Sequence, residues 1–414
     1  MASKFQAPRG TFDVLPEAAR ARARLEGAAA AIFSRAGYEP IATPAFEDTA
    51  LFERGVGKST DIVRKEMFTF EDKGERSLTL RPEGTASICR AYLEHGMHKL
   101  AQPVKLSYLG PFFRHERPQA GRYRQFHQLG AECIGTDSPL ADAEVIMLLA
   151  DLLGELGVPG VELRLGSLGS FEARRAYLED LKAHLHAHEG ELSRDVRERI
   201  DINPLRAFDS DDEGTRGVMA SAPTIVSRLE GEDAEHFEEV RALLDAAGVA
   251  YVVDPTLVRG LDYYTRTIFS FVCDRLGAQS EIGGGGRYDG LIEQLGGPAT
   301  PAVGFAAGVE RILLALDEEV PAAGRDAFLV VADPAQRARA MALAVELRHA
   351  GLSVELDLAG RGLKGQFKHA DRIGARRVLI LEADGSAQLR DMETGEQRAA
   401  DPGKLVEEMT GGKS

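Results

Sequence analysis

Apolar positions recur along this chain at helical spacing in some segments and at alternating spacing in others. Leu25, Ala29, Ile32 and Phe33 share one helical face within residues 16–36. Pro16 suits the first turn and Gly37 follows the end, so a helix is predicted there. The next stretch, YEPIATPAFEDTALFERGVG, is extended and leads to a predicted helix near 48–54. Its prolines keep it out of the middle of a sheet, which predicts a sheet edge or a subunit interface. Residues 67–70 and 77–80 alternate like paired strands across the polar turn EDKGER. RPEGTASICRAYLEHG then opens a helix whose first turn holds Glu83 and Thr85, where both can cap free backbone N–H groups.

Two strands follow, 106–114 and 125–134, predicted antiparallel around the loop HERPQAGRY. Alternation puts Phe126, Gln128, Gly130 and Glu132 on one face, with His127 and Leu129 opposite. Gln128 and Glu132 inside a fold need partners, because lone buried polar groups are costly. A helix over 138–157 and a strand at VELRLGSLG come next. From about 171 to 248 the chain is charged and helical in pattern, broken by the loop DINPLRAFDSDDEG, which predicts an inserted helical subdomain before the chain returns to the sheet at Tyr251.

The stretch 257–291 concentrates unusual residues. Positions 264–272 are rich in β-branched and aromatic side chains and predict a strand. Residues 280–282 predict a returning strand that runs into four glycines. A hairpin with a flexible glycine tip is one reading, and a floor where a ligand approaches bare main chain is the other. The surrounding Arg259, Asp262, Tyr263, Tyr264, Arg287 and Tyr288 favour the floor. TPAVGFAAGVERILLAL joins a small-residue strand to a helix carrying Arg311.

After a predicted linker, 321–326, the period changes to βαβαβ: AFLVVA, a helix over 334–350, LSVELDL, a helix near 364–373, and RRVLILEA. A hairpin (AQLRD, then EQRAA) and a last helix over 402–409 complete an independent α/β domain. Lys364, Lys368 and Arg372 recur every four residues on one helix face.

Length and charge narrow the function. A chain of 414 residues exceeds one ordinary core. The net charge of −15 argues against a general nucleic-acid coat, though not against a local basic face. The three cysteines (Cys89, Cys133, Cys273) form no CxxC pair, so neither a zinc site nor a disulfide framework is expected. MASKFQAPRG lacks the apolar core of a signal peptide, and the most apolar run, 145–156, contains Asp151 and is too short to span a bilayer. No membrane association and a cytoplasmic location are therefore expected. P-loop, dinucleotide-binding, nucleophile-elbow and HExxH patterns are missing from the sequence. What remains is a set of guanidinium groups, Arg114, Arg259 and Arg311, able to clamp a polyphosphate. The carboxylates Glu83 and Glu132 can meet an ammonium group or a ring N–H.

Taken together, these segments resemble the histidyl-tRNA synthetase family. GYEPIATPAFEDTALFERGVG is similar to the family's first motif, with Pro44 as its proline; FRHERPQAGRYRQFHQLGAE is similar to the second, and AVGFAAGVERILLAL to the third. LVRGLDYYTRTIFSF and EIGGGGRYDGL are similar to the two motifs that set the histidine enzyme apart. The resemblance implies an α+β catalytic domain on a mixed, mainly antiparallel sheet over 1–325, with a helical insertion at about 171–250. Residues 326–414 would form an α/β anticodon-binding domain of βαβαβ type.

The implied activity is activation of L-histidine with ATP, followed by transfer to the 3′ end of tRNA(His). Arg114 and Arg311 would hold ATP phosphates, Glu116 would read the adenine and Phe126 would stack on it. Arg259, Arg114 and Arg311 would form the catalytic set, with Arg259 on the α-phosphate. Glu83, Thr85 and Gln128 would receive the α-amino group. Glu132 and Tyr264 would hold the imidazole nitrogens, and Tyr263 and Tyr288 would complete the histidine pocket. Arg117 and Gln119 would face the tRNA acceptor end, while the second domain, partly through Lys364, Lys368 and Arg372, would read the anticodon. Mg²⁺ would accompany ATP; no prosthetic group is expected and no metal ligand is assigned. A homodimer formed through the first motif is implied. The competing expectation is a histidine-sensing regulatory subunit of ATP phosphoribosyltransferase, whose relatives depart from RGLDYYT and lack the C-terminal domain.

Overall fold

Helix α1, Pro16–Arg35, buries Leu25, Ala29, Ile32 and Phe33, the apolar stripe that its spacing predicts. The computed structural model describes residues 5–57, 60–277, 280–317, 324–401 and 403–410. The chain divides into two compact units, Met1–Val320 and Pro321–Ser414.

In the first unit α1 leads to β1 (Glu39–Pro40), β2 (Phe46–Asp48) and α2 (Thr49–Gly55), whose first turn is capped by the Asp48 carboxylate accepting from Ala50 N. Strands β3 (Phe68–Glu71) and β4 (Ser77–Leu80) precede α3 (Thr85–Glu94). The long strands β5 (Val104–Phe113) and β6 (Gln125–Ile134) pair antiparallel, and α4 (Pro139–Leu156) is capped by Ser138 at one end and a left-handed Gly157 at the other. After β7 (Val161–Ser167) come α5 (Phe171–Ala187), α6 (Arg194–Arg197), α7 (Glu213–Met219) and α8 (Gly231–Ala246). The chain then returns through β8 (Val252–Val253), β9 (Thr265–Cys273), β10 (Glu281–Arg287), α9 (Leu291–Gln294), β11 (Ala302–Gly308) and α10 (Val309–Leu316).

Eight strands form one sheet in the order β1-β5-β6-β11-β10-β9-β7-β8. Pairing is antiparallel except at the two edges, where β1 runs parallel to β5 and β8 parallel to β7. Proline-bearing β1 lies at an edge, where its missing N–H costs the ladder least. Strands β2, β4 and β3 make a separate three-stranded sheet.

The main sheet separates two environments. Leu129, Ala131 and Cys133 of β6, Phe269 and Phe271 of β9, and Val303, Phe305 and Ala307 of β11 pack against α1, α4, α8 and α10. The opposite face carries Gln128, Glu132, Ser270, Ala306 and several glycines, and it floors the cavity described below. The insertion has its own small core, from Tyr177 and Leu181 of α5 to Val218 and Ile225. By contrast α8, expected to close that subdomain, buries Phe237, Val240 and Leu244 in the main core.

Of the two readings of the glycine run, the structure excludes the hairpin tip. Gly283–Gly286 are not a hairpin tip but lie inside β10, hydrogen-bonded on both sides: Gly284 opposes Ala306 and Ser270, and Gly285 opposes Phe305 and Phe269. A Cβ at Gly285 would stand 2.7 Å from Phe305 Cα.

In the second unit β12 (Ala327–Val331), α11 (Arg337–His349), β13 (Val354–Leu356), α12 (Leu363–Arg372) and β14 (Arg377–Leu381) form the βαβαβ core, extended by the hairpin β15 (Ala387–Asp391) and β16 (Gln397–Ala400). The sheet order is β13-β12-β14-β15-β16, with β12 parallel to both its neighbours. The last helix, α13, covers Leu405–Thr410. Pro402, where it was expected to start, and residues 321–323 of the expected linker lie outside the described residues.

Candidate active site

On the polar face of the main sheet a cavity of about 730 Å³ opens between α3, the loop after β5, the segment before β9 and the start of α10. Its walls carry Glu83, Thr85, Arg114, Glu116, Phe126, Gln128, Arg259, Tyr263, Tyr264 and Arg311, residues drawn from positions 83 to 311 of the sequence.

At one end lies a polar cluster beneath α3. The Glu83 carboxylate accepts from Thr85 N at 2.8 Å and Ala86 N at 2.9 Å, so it caps this helix as its position suggested. Burial nevertheless raises its pKa. Thr85 Oγ1 donates to Glu132 Oε1 at 2.7 Å, and the Tyr288 hydroxyl donates to Glu132 Oε2 at 2.6 Å. Glu132 is fully buried, and burial pushes its carboxyl up to about 8. Glu132 and Tyr288 thus sit one layer below the cavity wall. Gln128 Oε1 is buried and has no hydrogen-bond partner in the protein. An amide oxygen left so is poised for a donor from a ligand. Tyr263 packs against Tyr264 at 4.7 Å between ring centroids and edge-on to Tyr288 at 5.7 Å. These contacts hold Tyr263 and Tyr264 in the wall, with Tyr288 behind them.

The other end is cationic. Arg114 donates from Nε to Pro82 O at 2.9 Å and lies 5.4 Å over the Phe126 ring. Glu116 is 3.8 Å from Arg114 and 3.0 Å from Arg122. Arg259 pairs with Glu281 and lies 5.7 Å over the Tyr264 ring, while Arg311 donates from Nε to the Glu281 carbonyl. Desolvation of the half-exposed Glu281 carboxyl is outweighed by the Arg259 guanidinium beside it, which keeps the carboxyl below its usual range. A ligand with a phosphate chain at one end and an ammonium at the other matches this charge layout.

Four singled-out residues lie elsewhere. Arg287 is fully buried and donates to Thr136 O at 2.8 Å, pairing with Asp142; it ties β10 to α4 and does not face the cavity. The C-terminal end of α2 abuts Asp262, whose backbone N–H donates to Val56 O at 3.3 Å. Arg117 and Gln119 are exposed in the loop between β5 and β6, where Gln119 bridges to Arg122.

Sequence reasoning missed Glu281, because its neighbours looked like the start of a glycine turn. It also missed the insertion's share of the wall. Arg206, Phe208 and Asp209 line the cavity, and Arg206 is held by Asp61 at 2.8 Å and Asp209 at 2.9 Å. The loop DINPLRAFDSDDEG stood out by composition, but nothing in its spacing tied it to a distant site.

The chain is similar to known proteins along nearly its whole length. The family profile described as Histidyl-tRNA synthetase matches residues 10–312, and that described as Anticodon binding domain matches residues 326–411. The chain is 49% identical over 412 residues to a protein of Rubrobacter xylanophilus named Histidine--tRNA ligase, covering 96% of this chain and 97% of that one. It is 47% identical to a protein of the same name from Thermosynechococcus vestitus, covering 98% and 96%. The crystal structure of apo S. aureus histidyl-tRNA synthetase superposes with a TM-score of 0.83 at 36% identity, covering 98% of this chain and 100% of the other.

Proposed function

The chain belongs to the histidyl-tRNA synthetase family, and on that premise we propose how its residues divide the work. Its activity is that of a histidine–tRNA ligase: ATP-dependent activation of histidine to the adenylate with release of pyrophosphate, then transfer to tRNA. The regulatory-subunit alternative is not favoured, since relatives at 47–49% identity over nearly the whole chain carry the ligase name.

One observation carries the assignment of the site: a single cavity joins the unpartnered Gln128 amide oxygen to Arg114, Arg259 and Arg311. Gln128, Glu83 and Thr85 receive the α-ammonium group. Tyr264 meets one imidazole nitrogen, and Glu132 the other by exchanging one of its hydroxyl partners for the ring N–H. Tyr263 and Tyr288 hold that wall in place. Phe126 stacks on the adenine, Glu116 reads its edge, and Arg114 and Arg311 hold the phosphates.

Attack of the histidine carboxylate on the α-phosphorus accumulates charge at a five-coordinate centre, and Arg259 faces that charge. A fixed cation there stabilises the transition state without reorganising. Among the described residues no cluster of three or more His, Cys, Asp or Glu could hold a metal ion. Mg²⁺ is proposed to accompany ATP, where it would neutralise phosphate charge. A pocket that hydrogen-bonds both ring nitrogens rejects amino acids that leave those groups unpaired.

We assign residues 1–325 to catalysis and 326–414 to the anticodon. Arg117 and Gln119, exposed in their loop, meet the acceptor end of tRNA(His). No helix among the described residues is long and apolar enough to cross a membrane, and a cytoplasmic homodimer is proposed. Phe46 and Phe70, 49% and 42% exposed on the three-stranded sheet, support an interface beside the first motif.

Pyrophosphate–ATP exchange, run with each amino acid separately, tests the reading. Exchange with histidine alone is expected. Silence with every amino acid, despite measurable histidine binding, would overturn it in favour of a regulatory role.

A further inference from the structure

We propose that Glu281 is a positioning residue for both Arg259 and Arg311, an inference that rests on the function proposed above. Glu281 opens β10, and a register shift between Glu281 and Gly283 sets it apart from the regular pairing of that strand. Its carboxylate accepts from Arg259 Nη1, and its backbone carbonyl accepts from Arg311 Nε. One residue therefore meets two cations that arrive from separate places, the loop before β9 and the first turn of α10.

The floor beneath this arrangement is bare main chain. A Cβ on Gly284 would lie 2.8 Å from Arg259 Nη1 and 2.9 Å from Glu281 Oε1. The glycine thus leaves the space in which the ion pair sits. The Glu281 side chain is 46% exposed and the Arg259 side chain 14%, so the pair stands at the cavity surface. A pair this open contributes little to stability. Its consequence is directional. An arginine side chain has many rotamers, and anchoring Nη1 fixes the plane of the guanidinium. The guanidinium N–H groups not taken by Glu281 remain, on a side chain that lines the cavity, for contact with a phosphate. Preorganisation of this kind lowers the barrier because the cation need not be oriented during the reaction.

The test uses the full-length protein, with Glu281→Ala, Glu281→Gln, Arg259→Ala and the double variant Arg259→Ala/Glu281→Ala. Single-turnover adenylate formation and histidine-dependent pyrophosphate exchange are measured together with histidine affinity by calorimetry. Glu281→Ala is expected to slow adenylate formation about tenfold or more while histidine affinity stays at the parental value. The double variant is expected to be no slower than Arg259→Ala alone, because Glu281 acts through that side chain. Glu281→Gln keeps an oxygen that accepts from Nη1 and is expected to lose less than Glu281→Ala; should the alanine variant fail to fold, a loss of severalfold in the glutamine variant serves instead. A parental rate in Glu281→Ala, or a further tenfold loss in the double variant, would overturn the proposal. Failure of the parent protein to show any histidine-dependent exchange would instead sink the functional reading itself.

Discussion

The Tyr288 hydroxyl donates to Glu132 Oε2 across 2.6 Å at a point where neither residue is more than 1% exposed. With Thr85 on the other oxygen, the carboxyl is held on both sides by hydroxyl groups. Tyr288→Phe removes one of these partners without changing shape and strands a buried acceptor. The expected cost is about 1–3 kcal/mol of stability. A lower melting temperature for the catalytic unit in calorimetry, with a raised histidine KM, is the expected outcome. Unchanged melting would mean that the bond contributes nothing net.

The same carboxyl predicts a pH dependence. Burial raises it from an ordinary 4.5 to about 8. Between those values the folded protein keeps a proton that the unfolded chain has released. Stability therefore falls as pH rises through this window, by at most about 1.4 kcal/mol per pH unit, and the fall stops above the folded pKa. Glu132→Gln cannot titrate. In urea unfolding from pH 5 to pH 8 the variant should gain on the parent steadily. A difference that stays constant over that range would show that Glu132 ionises normally in the folded state.

Much of this site was legible in the sequence because strand alternation and helix capping are local rules. Period two along 125–134 placed Gln128 and Glu132 on one face, and the structure keeps them there, away from Leu129 and Ala131. The position of Glu83 just before a helix announced its bonds to Thr85 and Ala86 N–H groups. Long-range packing was not legible. Arg287 looked like its cationic neighbours, yet β10 turns it into the protein to meet Asp142, a partner 145 residues away. The glycine run is ambiguous for the same reason: a tight turn and a crowded sheet interior both exclude side chains, and only strand pairing distinguishes them.

Gln128 offers a sharper test of the pocket. Its Oε1 has no partner in the protein, so Gln128→Leu removes no internal hydrogen bond made by that oxygen. Stability should stay close to the parent. Histidine binding should weaken by about 1–3 kcal/mol, roughly five- to 150-fold in Kd, because the α-ammonium loses its acceptor. Isothermal titration with histidine in the absence of ATP reads this directly. Equal affinity in the variant would move the ammonium site elsewhere in the cavity.

The second unit makes its own prediction. Lys364, Lys368 and Arg372 are exposed along α12, while Gln366 and Ala370 turn inward. On a protein of net charge −15, a local basic face is what an RNA backbone can approach. Reversing all three to glutamate should leave pyrophosphate exchange untouched, because that reaction needs no tRNA. The KM for tRNA in aminoacylation should rise, and its dependence on salt should weaken. Each lost phosphate contact is expected to lower the slope of log affinity against log salt by about 0.7 for single-stranded RNA. Charging kinetics at two or three salt concentrations supply that slope. A parental slope in the triple variant would mean that the anticodon is read by another face of this unit.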